Sequence, residues 1–320
     1  MNDRDVQAER IARLIAPLRV PSGAKLRLAG QYDPGYTGGL RRHGGGTEAL
    51  LQRGVALLTD YQARLAAQAT HGVLVVLQAL DAAGKDGTIR HVMSGVNPQG
   101  VHVHSFKVPS PEELGHDFLW RYAQRLPGRG EIGIFNRSYY EEVLVVRVHP
   151  EHLDRQHLPV EARRGDLWRR RFRAINAWER HLTGNGFRIV KLFLNVSKEE
   201  QRKRLLQRID RPDKNWKFSA ADVAERRHWD AYQDAYADML AHTSTRWAPW
   251  YIIPADHKWF ARIAAAAVIA DTLIGIDPRY PAVGRDAREE LQRFKTALAA
   301  EPSPGRHPGR HPGRRGDPHG

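Results

Sequence analysis

An apolar segment that runs directly into a Gly-Lys turn constrains the fold of this chain more than any other feature. Val73 to Leu77 form a continuous apolar run, which is typical of a strand buried on both faces of a sheet. Small residues follow up to Gly84 and Lys85, and Thr88 can open a helix. Backbone N–H groups of such a unit converge on phosphoryl oxygens at the helix N-terminus, and the lysine adds positive charge. The segment therefore predicts a protein that binds phosphate esters or anhydrides.

The match to the usual phosphate-binding loop is incomplete. The usual pattern is Gly, four residues, Gly-Lys and then Ser or Thr, whereas Ala79 replaces the first glycine here and Asp86 follows the lysine. A tight turn with a solvated lysine is the alternative, and the apolar strand before the turn favours phosphate binding. The predicted phosphate-binding residues of the loop are Ala82, Ala83, Gly84, Lys85, Asp86, Gly87 and Thr88.

Strands alternate with helices through the middle of the chain. Further strands are predicted at 101–106, 132–135, 189–196 and 250–254. Ser110 to Glu113 form a capping box with proline at the first helical position, which predicts a helix to about Arg125, and a long polar helix is predicted around 158–183. This alternation implies right-handed crossovers and a mostly parallel sheet covered by helices on both faces. The predicted fold class is α/β.

The chain is predicted to hold one large domain with two flanking segments. Residues 1–46 comprise a short amphipathic helix at 5–17 and a Gly/Pro/Tyr-rich arm from Pro21 to Gly46, expected to wrap the domain or a neighbouring subunit. Residues 47–300 form the main domain, which a long helix beginning at Thr47 opens. Residues 301–320 are a Pro/Gly/Arg/His repeat that cannot bury apolar surface, so we predict a disordered tail.

Composition excludes several classes of function and favours a polyanionic partner. The absence of cysteine excludes disulfides, thiol nucleophiles and cysteine metal sites. No secretory signal is visible, and the longest apolar run, 263–270, is far below the roughly 20 residues that span a bilayer, so a cytoplasmic protein without a membrane partner is expected. Of the net charge of +14, the tail contributes only four arginines against two acids. The basic body suits a polyanion, with charge kept for solubility as the alternative.

Two acidic positions and one arginine are candidates for phosphoryl-transfer chemistry. Asp81 lies inside the loop, where a carboxylate would repel bound phosphates unless Mg²⁺ intervened, and an Asx turn is the alternative. The strand at 132–135 leads to Asn136 and Arg137 at the sheet edge where ligands bind. Arg137 can bind phosphate, and Glu141 can supply a second carboxylate for the metal. Alternatively, Asn136 caps the next helix and Arg137 pairs with Glu141.

A dense basic cluster follows a predicted helix cap at Ser197. Its members are Arg202, Lys203, Arg204, Arg208, Arg211, Lys214 and Lys217. Pro212 breaks the helix, so the segment at about 204–222 is predicted to act as a helical lid whose cations close over phosphates and exclude water. A solvated basic helix is the alternative.

Several long motifs resemble the polyphosphate kinase 2 family and follow one another in the family's order. They are LQALDAAGKDGTIRHVMSGVNPQGV, IFNRSYYEEVLVVRVHPE, RIDRPDKNWKFSAADVAERRHWDAY and TSTRWAPWYIIPADHKWFARI. The resemblance covers about 10 to 280 and implies a P-loop kinase-like fold of the thymidylate kinase type. It also implies Mg²⁺-dependent transfer of a terminal phosphoryl group between inorganic polyphosphate and nucleotides, with Mn²⁺ as an alternative ion. Asp81 and Lys85 fall in the first motif, Arg137 in the second, and Arg204, Arg208 and Lys214 in or beside the lid.

One departure from the family pattern bears on the acceptor. Most members have Asp where this chain has Asn136, and Asn followed by Arg-Ser-Tyr-Tyr-Glu resembles class III, whose members accept both nucleoside mono- and diphosphates. The resemblance therefore implies AMP and ADP as acceptors, ATP as a product, and a homodimer or homotetramer. The catalytic residues predicted on this basis are Asp81, Lys85, Asn136, Arg137 and Glu141, and Asp81 and Glu141 are the predicted metal ligands.

Three other functions remain as alternatives. A polyphosphate phosphotransferase with a single acceptor class would carry the same motifs. An ATP-dependent nucleoside monophosphate kinase would use the same loop with a different donor. A basic nucleic-acid-binding protein with an inactive loop would use the same charges, but Asp81 argues against it, and no nucleic-acid partner is expected.

Overall fold

A computed structural model describes residues 3–42 and 46–301 of the chain. The described chain divides into a main unit that extends to Tyr280 and a second unit that begins at Pro281. The predicted disordered tail lies outside the described residues, apart from Glu301. The second unit contains one described helix, Arg285–Ala299, which presents Leu291, Phe294 and Leu298 as exposed apolar side chains.

Five parallel strands form the sheet of the main unit. They are β1 (Gly72–Gln78), β2 (Val101–Ser105), β3 (Ile132–Asn136), β4 (Phe187–Asn195) and β5 (Trp250–Pro254). Their order across the sheet is β2-β3-β1-β4-β5, and Val75 of β1 lies beside Ile134 of β3 and Val190 of β4. The chain leaves β1 toward one side of the sheet and later returns to the other side. The carboxyl end of β1 therefore lies at the topological switch point, where open α/β sheets bind ligands.

Long helices connect and cover these strands. They are α1 (Asp3–Ile15), α2 (Gly46–Gln68), α3 (Lys85–Val92), α4 (Leu167–Gly184), α5 (Lys198–Asp210), α6 (Trp229–Thr243), α7 (Lys258–Ile276) and, in the second unit, α8 (Arg285–Ala299). Shorter helical segments are Ala16–Leu18, Leu28–Gln31, Pro98–Gly100, Pro111–Leu114, Trp120–Ala123, Tyr139–Val143, Val145–Val148, Glu151–Asp154, Val160–Arg163, Asn215–Lys217, Ala220–Glu225 and Arg226–His228. The predicted α/β class and parallel sheet are confirmed.

A hydrophobic core lies on each face of the sheet. Because side chains alternate along a strand, Val73 and Val75 of β1 join the core on one face, while Leu74 and Val76 join the core on the other. The first core includes α2 and α7, and the second includes α4 and α6. Helix α7 is long and apolar enough to cross a membrane by length and composition, but 61% of that apolar stretch is buried inside the protein. Its apolarity is thus explained by its place in the core.

The N-terminal arm packs along the main unit, as one of the two sequence-based alternatives predicted. Asn195 Nδ2 donates to the carbonyl of Tyr32 at 3.0 Å, and Asp256 N donates to the carbonyl of Pro34 at 3.1 Å. The backbone turns at Leu28–Gln31, where Gly30 has a φ of 83° and Tyr32 N donates to the carbonyl of Leu28, so the arm is not extended throughout.

Two predicted helix boundaries are wrong. The capping box at Ser110 forms, but its helix ends at Leu114 instead of Arg125, because Gly115 follows and Asp117 begins a new turn by accepting from Leu119 N. The helix predicted from 158 begins only at Leu167. Gly165 has a φ of 67° and separates it from the preceding turn.

Candidate active site

The loop after β1 has the geometry of a phosphate-binding loop. Gly84 adopts a left-handed φ of 110° directly before α3 begins at Lys85, and Ala82 also has a positive φ of 62°. A left-handed alanine is strained, and such strain is concentrated at functional sites. The loop opens on a groove of about 640 Å³ that β3 and the predicted lid also line. The tight turn of the alternative interpretation thus exists, but it lines a large groove.

Lys85 folds back onto the loop that precedes it. Its Nζ donates to the carbonyls of Ala79 at 2.7 Å and Leu80 at 3.3 Å, and lies 3.9 Å from Asp81 Oδ1. Burial lowers the pKa of Lys85, although Asp81 acts in the opposite direction. An ammonium has three donors, so one remains for a phosphate oxygen while two hold the loop.

Asp81, Arg137 and Glu141 form a charged cluster at the floor of the site. Arg137 Nη2 donates to Asp81 Oδ1 at 2.8 Å, whereas Arg137 Nη1 lies 3.8 Å from Glu141 Oε2. Asp81 is therefore the closer partner, and the simple Arg137–Glu141 pair of the alternative interpretation is incomplete. Arg137 also has a positive φ of 64°, which turns the chain sharply after β3.

The pKa values of the two carboxyls in this cluster are shifted in opposite directions. Burial alone would raise the pKa of Asp81, but Lys85, Arg137 and Arg208 together hold it below its usual range. Burial raises the pKa of Glu141, and Arg137 and Lys85 only partly oppose this. With its amide nitrogen turned toward Glu141, Gln78 donates to Glu141 Oε1 at 2.9 Å. Asp81 is thus the stronger candidate for an ionised metal ligand.

Asn136 lies at the carboxyl end of β3 and faces the loop. Its Nδ2 donates to Asp86 Oδ1 at 2.9 Å and to Ser105 Oγ at 3.3 Å. Its Oδ1 is buried and has no hydrogen-bond partner among the described residues. The alternative role as a helix cap is wrong, because Ser138 caps the following turn by accepting from Tyr140 N.

The described residues contain no group of three metal-ligating side chains. Mg²⁺ typically binds one or two protein carboxylates and completes its shell with water and substrate phosphates, so a smaller set suffices. Asp81 and Asp86 line the same groove as Asn136, whose Oδ1 is an unpaired acceptor. These oxygens fit a hard cation held jointly by protein and substrate.

Arg204 has a different role from the predicted one. It is 4% exposed, and all five of its N–H groups face protein acceptors. These acceptors are Glu200 Oε1 and the carbonyl oxygens of Ala82, Ala83, Ala255 and Asp256. No donor is left for phosphate, so the prediction that Arg204 binds phosphate is wrong. Arg204 instead holds the loop against the segment after β5.

The remaining lid cations divide into two groups. Arg208 and Lys214 line the groove, and Arg208 Nη1 donates to Asp222 Oδ2 at 2.9 Å. Arg211 pairs with Asp213 at 2.8 Å, is half exposed, and is not among the residues that line the groove. The structure therefore brings Arg208 and Lys214 to the site and leaves Arg211 outside it. The side chain of Lys217 lies outside the described residues.

A buried polar network supports the turn that carries Arg137, and the sequence analysis missed it. Lys191 Nζ donates to Glu179 Oε2 at 2.7 Å, and the hydroxyls of Tyr139 and Tyr140 each donate to Glu179 Oε1 at 2.8 Å. Both charged side chains are 0% exposed. A lysine in the middle of an otherwise apolar buried strand was the available signal, because such a charge requires a partner.

Comparisons with known proteins agree with this geometry. Residues 46–279 match the family model described as polyphosphate kinase 2. An ADP-polyphosphate phosphotransferase of Rhodopseudomonas palustris is 50% identical over 284 residues, covering 88% of this chain and 96% of that protein. An AMP/ADP-polyphosphate phosphotransferase of Meiothermus ruber is 46% identical over 254 residues, covering 78% of this chain and 90% of that protein.

A solved structure extends the similarity to three dimensions. The crystal structure of polyphosphate kinase 2 from Arthrobacter aurescens TC1 superimposes with a TM-score of 0.77 at 42% identity, covering 87% of this chain and 95% of that chain. The range 46–279 that the family model matches contains the loop after β1, the turn after β3 and the lid. This chain belongs to the polyphosphate kinase 2 family.

Proposed function

We propose that the protein transfers the terminal phosphoryl group of inorganic polyphosphate to AMP and to ADP, giving ADP and ATP. The observation that carries the proposal is the groove of about 640 Å³ that joins the loop after β1 to a basic wall. The cations that line it are Lys85, Arg90, Lys107, Arg137, Arg204, Arg208, Lys214, Lys258 and Arg262, against the carboxylates of Asp81 and Asp86. This excess of positive charge suits a linear chain of phosphates. The names of the two relatives support AMP and ADP as acceptors.

A second cavity next to the charged cluster suits the nucleoside of the acceptor. It has a volume of about 130 Å³, Arg137 and Glu141 line it, and Arg137 also lines the groove. Phe106, Val108 and Tyr122 supply apolar surface for a base or sugar. A nucleotide placed there would direct its phosphate toward Arg137.

The proposed mechanism is an in-line transfer between two phosphates. The acceptor oxygen is already ionised near neutral pH, so no strong general base is needed. Catalysis then rests on positioning and on neutralisation of charge. Lys85 and the loop N–H groups would bind the transferring group, and Arg137 would orient the acceptor. Arg208 and Lys214 would hold the donor chain and exclude water from the site.

We further propose Mg²⁺, with Mn²⁺ as an alternative, as the cofactor. When bound, the ion supplies positive charge to the phosphate oxygens and offsets the repulsion between substrate and carboxylates. Asp81 is the first candidate ligand, because its pKa is held low by neighbouring cations. Glu141 is a weaker candidate, because burial raises its pKa and so favours its neutral form.

The decisive experiment measures ATP formation from ADP, and ADP and ATP formation from AMP, with Mg²⁺ and long-chain polyphosphate. A reaction without polyphosphate and a parallel reaction with ATP as donor to AMP separate this function from that of an ATP-dependent monophosphate kinase. Lys85→Ala should abolish transfer, whereas Lys295→Ala on α8, which removes an exposed charge of the same type, should not.

Each outcome distinguishes the alternatives. Products from both acceptors, lost in Lys85→Ala, support the proposal. Transfer to only one acceptor assigns the enzyme to a single acceptor class. Transfer from ATP but not from polyphosphate contradicts the proposed donor, and tight RNA binding without any transfer contradicts an enzymatic function.

We also propose a homodimer or homotetramer on the basis of the family resemblance. Light scattering of the purified chain measures the mass directly, and a monomer at micromolar concentration would contradict this proposal.

A further inference from the structure

A second groove lies at the opposite edge of the sheet from the phosphate-binding loop. Helix α4 ends at Gly184, shortly before β4 begins, and Trp247 precedes β5. In a parallel sheet, residues that precede strands gather at the amino-terminal edge. This groove has a volume of about 620 Å³ and is lined by Arg173, Arg180 and His181 of α4 and by Trp247. None of the described residues that line it is acidic.

The two arginines of this groove differ from their neighbours on the same helix. Arg169 pairs with Asp166 at 3.2 Å, and Arg171 pairs with Glu142 at 2.9 Å. Arg173 and Arg180 are exposed and form no salt bridge with any described residue. Their charge is therefore uncompensated and available to an anionic ligand.

Positive charge continues along the edge beyond α4. Arg129 Nη2 donates to the carbonyl of Asn185, which lines the groove, at 3.0 Å. Burial lowers the pKa of His71, and the nearby charges of Arg188 and Arg129 lower it further. Arg129 precedes β3 and Arg188 is the second residue of β4, so both guanidinium groups lie near His71, which precedes β1. They extend the basic surface away from the groove.

Trp247 adds a donor to the groove. The guanidinium of Arg180 lies over its ring, 5.6 Å from the centroid, and fixes one face of the indole. Trp247 Nε1 is buried and has no hydrogen-bond partner among the described residues. Asn176 Oδ1 is also unpaired, but as an acceptor it would bind water instead of an anion. The groove therefore has two arginines and a tryptophan with an unpaired N–H in its lining, and phosphate oxygens accept hydrogen bonds from both kinds of donor.

We propose that this groove, defined by Arg173, Arg180 and Trp247, is a second binding site for polyphosphate. The inference rests on the proposed function, which makes polyphosphate the donor. Arg173 and Arg180 are two helical turns apart, about 10 Å along the axis of α4. A linear polyanion spans that distance more readily than the phosphates of one nucleotide.

The separation of the two grooves gives the second site a specific effect. The nine residues of β4 span about 30 Å between the edges of the sheet. A long polyphosphate can reach both grooves. Binding in the groove at the amino-terminal edge then raises the effective concentration of the chain at the phosphate-binding loop. A short chain occupies one groove at a time and gains nothing from the other.

The test compares the KM for long-chain polyphosphate with the KM for a size-fractionated chain too short to span the two edges. In Arg173→Gln/Arg180→Gln, we expect the long-chain KM to rise about tenfold or more. The short-chain KM and kcat should not change. Arg293→Gln/Lys295→Gln on α8 removes the same charge and should change neither KM. Trp247→Phe, which keeps the ring but removes the N–H donor, should give a smaller increase of the long-chain KM.

The outcomes separate this inference from the proposed function. If the wild-type protein uses no polyphosphate of any length, the proposed function fails. If it transfers normally but the double variant keeps the long-chain KM, or loses affinity equally for both lengths, the second site is refuted. Calorimetric titration with ADP and ATP tests whether the groove binds a nucleotide instead. A loss of nucleotide affinity in the double variant, with polyphosphate KM unchanged, would assign the groove to a nucleotide and overturn the inference.

Discussion

The protein contains two charged clusters that differ in how completely their groups are satisfied. In the buried cluster, Lys191 makes three hydrogen bonds, to Glu179 Oε2, Tyr140 Oη and the carbonyl of Thr243, at 2.7 to 2.9 Å. In the cluster at the carboxyl edge of the sheet, Arg137 contacts Asp81 at 2.8 Å but lies 3.8 Å from Glu141. Both carboxyls line a cavity. Both clusters hold opposite charges at short range, yet only the second one leaves room for a ligand.

This difference shows what a close ion pair can mean. A saturated buried pair holds elements together and has no capacity to bind anything else. An incompletely paired cluster keeps charges that a substrate can complete, and the protein tolerates their opposing pKa shifts at the site. The same argument reassigns Arg204, whose five N–H groups are all used within the protein.

The largest effect is expected from breaking the saturated cluster. Lys191→Met leaves Glu179 as an uncompensated buried carboxylate beneath Tyr139 and Tyr140. We expect the free energy of unfolding to fall by about 3–5 kcal/mol, measured by urea denaturation. Lys203→Met is the matched control, because its partner Glu199 lies at 3.9 Å and both side chains are exposed, so a change below about 0.5 kcal/mol is expected. Equal effects of both variants would contradict the assigned difference.

Arg204 and Arg208 provide the second test, because they lie one turn apart on α5 and the structure gives them different roles. Arg204→Met should lower the free energy of unfolding by about 2–3 kcal/mol, since it leaves several buried carbonyls unpaired. Arg208→Met should change stability little but raise the KM for polyphosphate, because Arg208 lines the groove. Urea denaturation and donor-saturation kinetics on both variants measure the two roles. A raised KM with unchanged stability in Arg204→Met would restore the original prediction that Arg204 binds phosphate.

That Arg204 was misassigned shows where sequence reasoning stopped. Strands, their order along the chain and the loop before α3 follow from local apolar runs and turn residues, so all five strands were predicted within two residues of their ends. Charge density alone could not separate Arg204, Arg208 and Arg211. Their roles depend on which one faces the carbonyls of the loop, which one faces the groove and which one faces solvent. Only the crossing of α5 over the sheet determines this.

The site itself was predicted in part. Asp81 and Lys85 follow β1, and Arg137 follows the neighbouring parallel strand β3, so their meeting at one edge of the sheet could be foreseen. The hydrogen bond from Asn136 to Asp86 could not, because it joins a strand end to the first turn of a helix 50 residues away in the chain. The supporting network of Glu179 and Lys191 likewise links α4 to β4 across the core.

Asn136→Asp is expected to place an additional negative charge next to Asp86, at the carboxyl edge of the sheet. The new carboxylate would replace the donor that now binds Asp86 Oδ1 at 2.9 Å, so we expect a loss of about 1–2 kcal/mol in the free energy of unfolding at neutral pH. Mg²⁺ should restore most of this loss. Asn195→Asp is the matched control, because Asn195 also ends a strand but donates to a carbonyl, of Tyr32. Thermal denaturation of both variants with and without Mg²⁺ measures the difference, and equal recovery in both would count against a metal site at Asn136.

The smallest effect concerns Asp81 and Glu141. Their contributions to the free energy of unfolding should change with pH in opposite directions. Because burial raises the pKa of Glu141, the folded state binds its proton more tightly than the unfolded state, and stability falls as pH rises from about 4 through the raised pKa. Gln mimics the protonated form, so the stability of Glu141→Gln relative to wild type should increase with pH over that window. Asp81 has a lowered pKa, so its contribution is present above the ordinary range of an aspartate and is lost in acid. Asp81→Asn should therefore be least destabilising at low pH. Urea denaturation from about pH 2 to about pH 8 covers both windows, and parallel slopes for the two variants would show that the carboxyls are not electrostatically distinct.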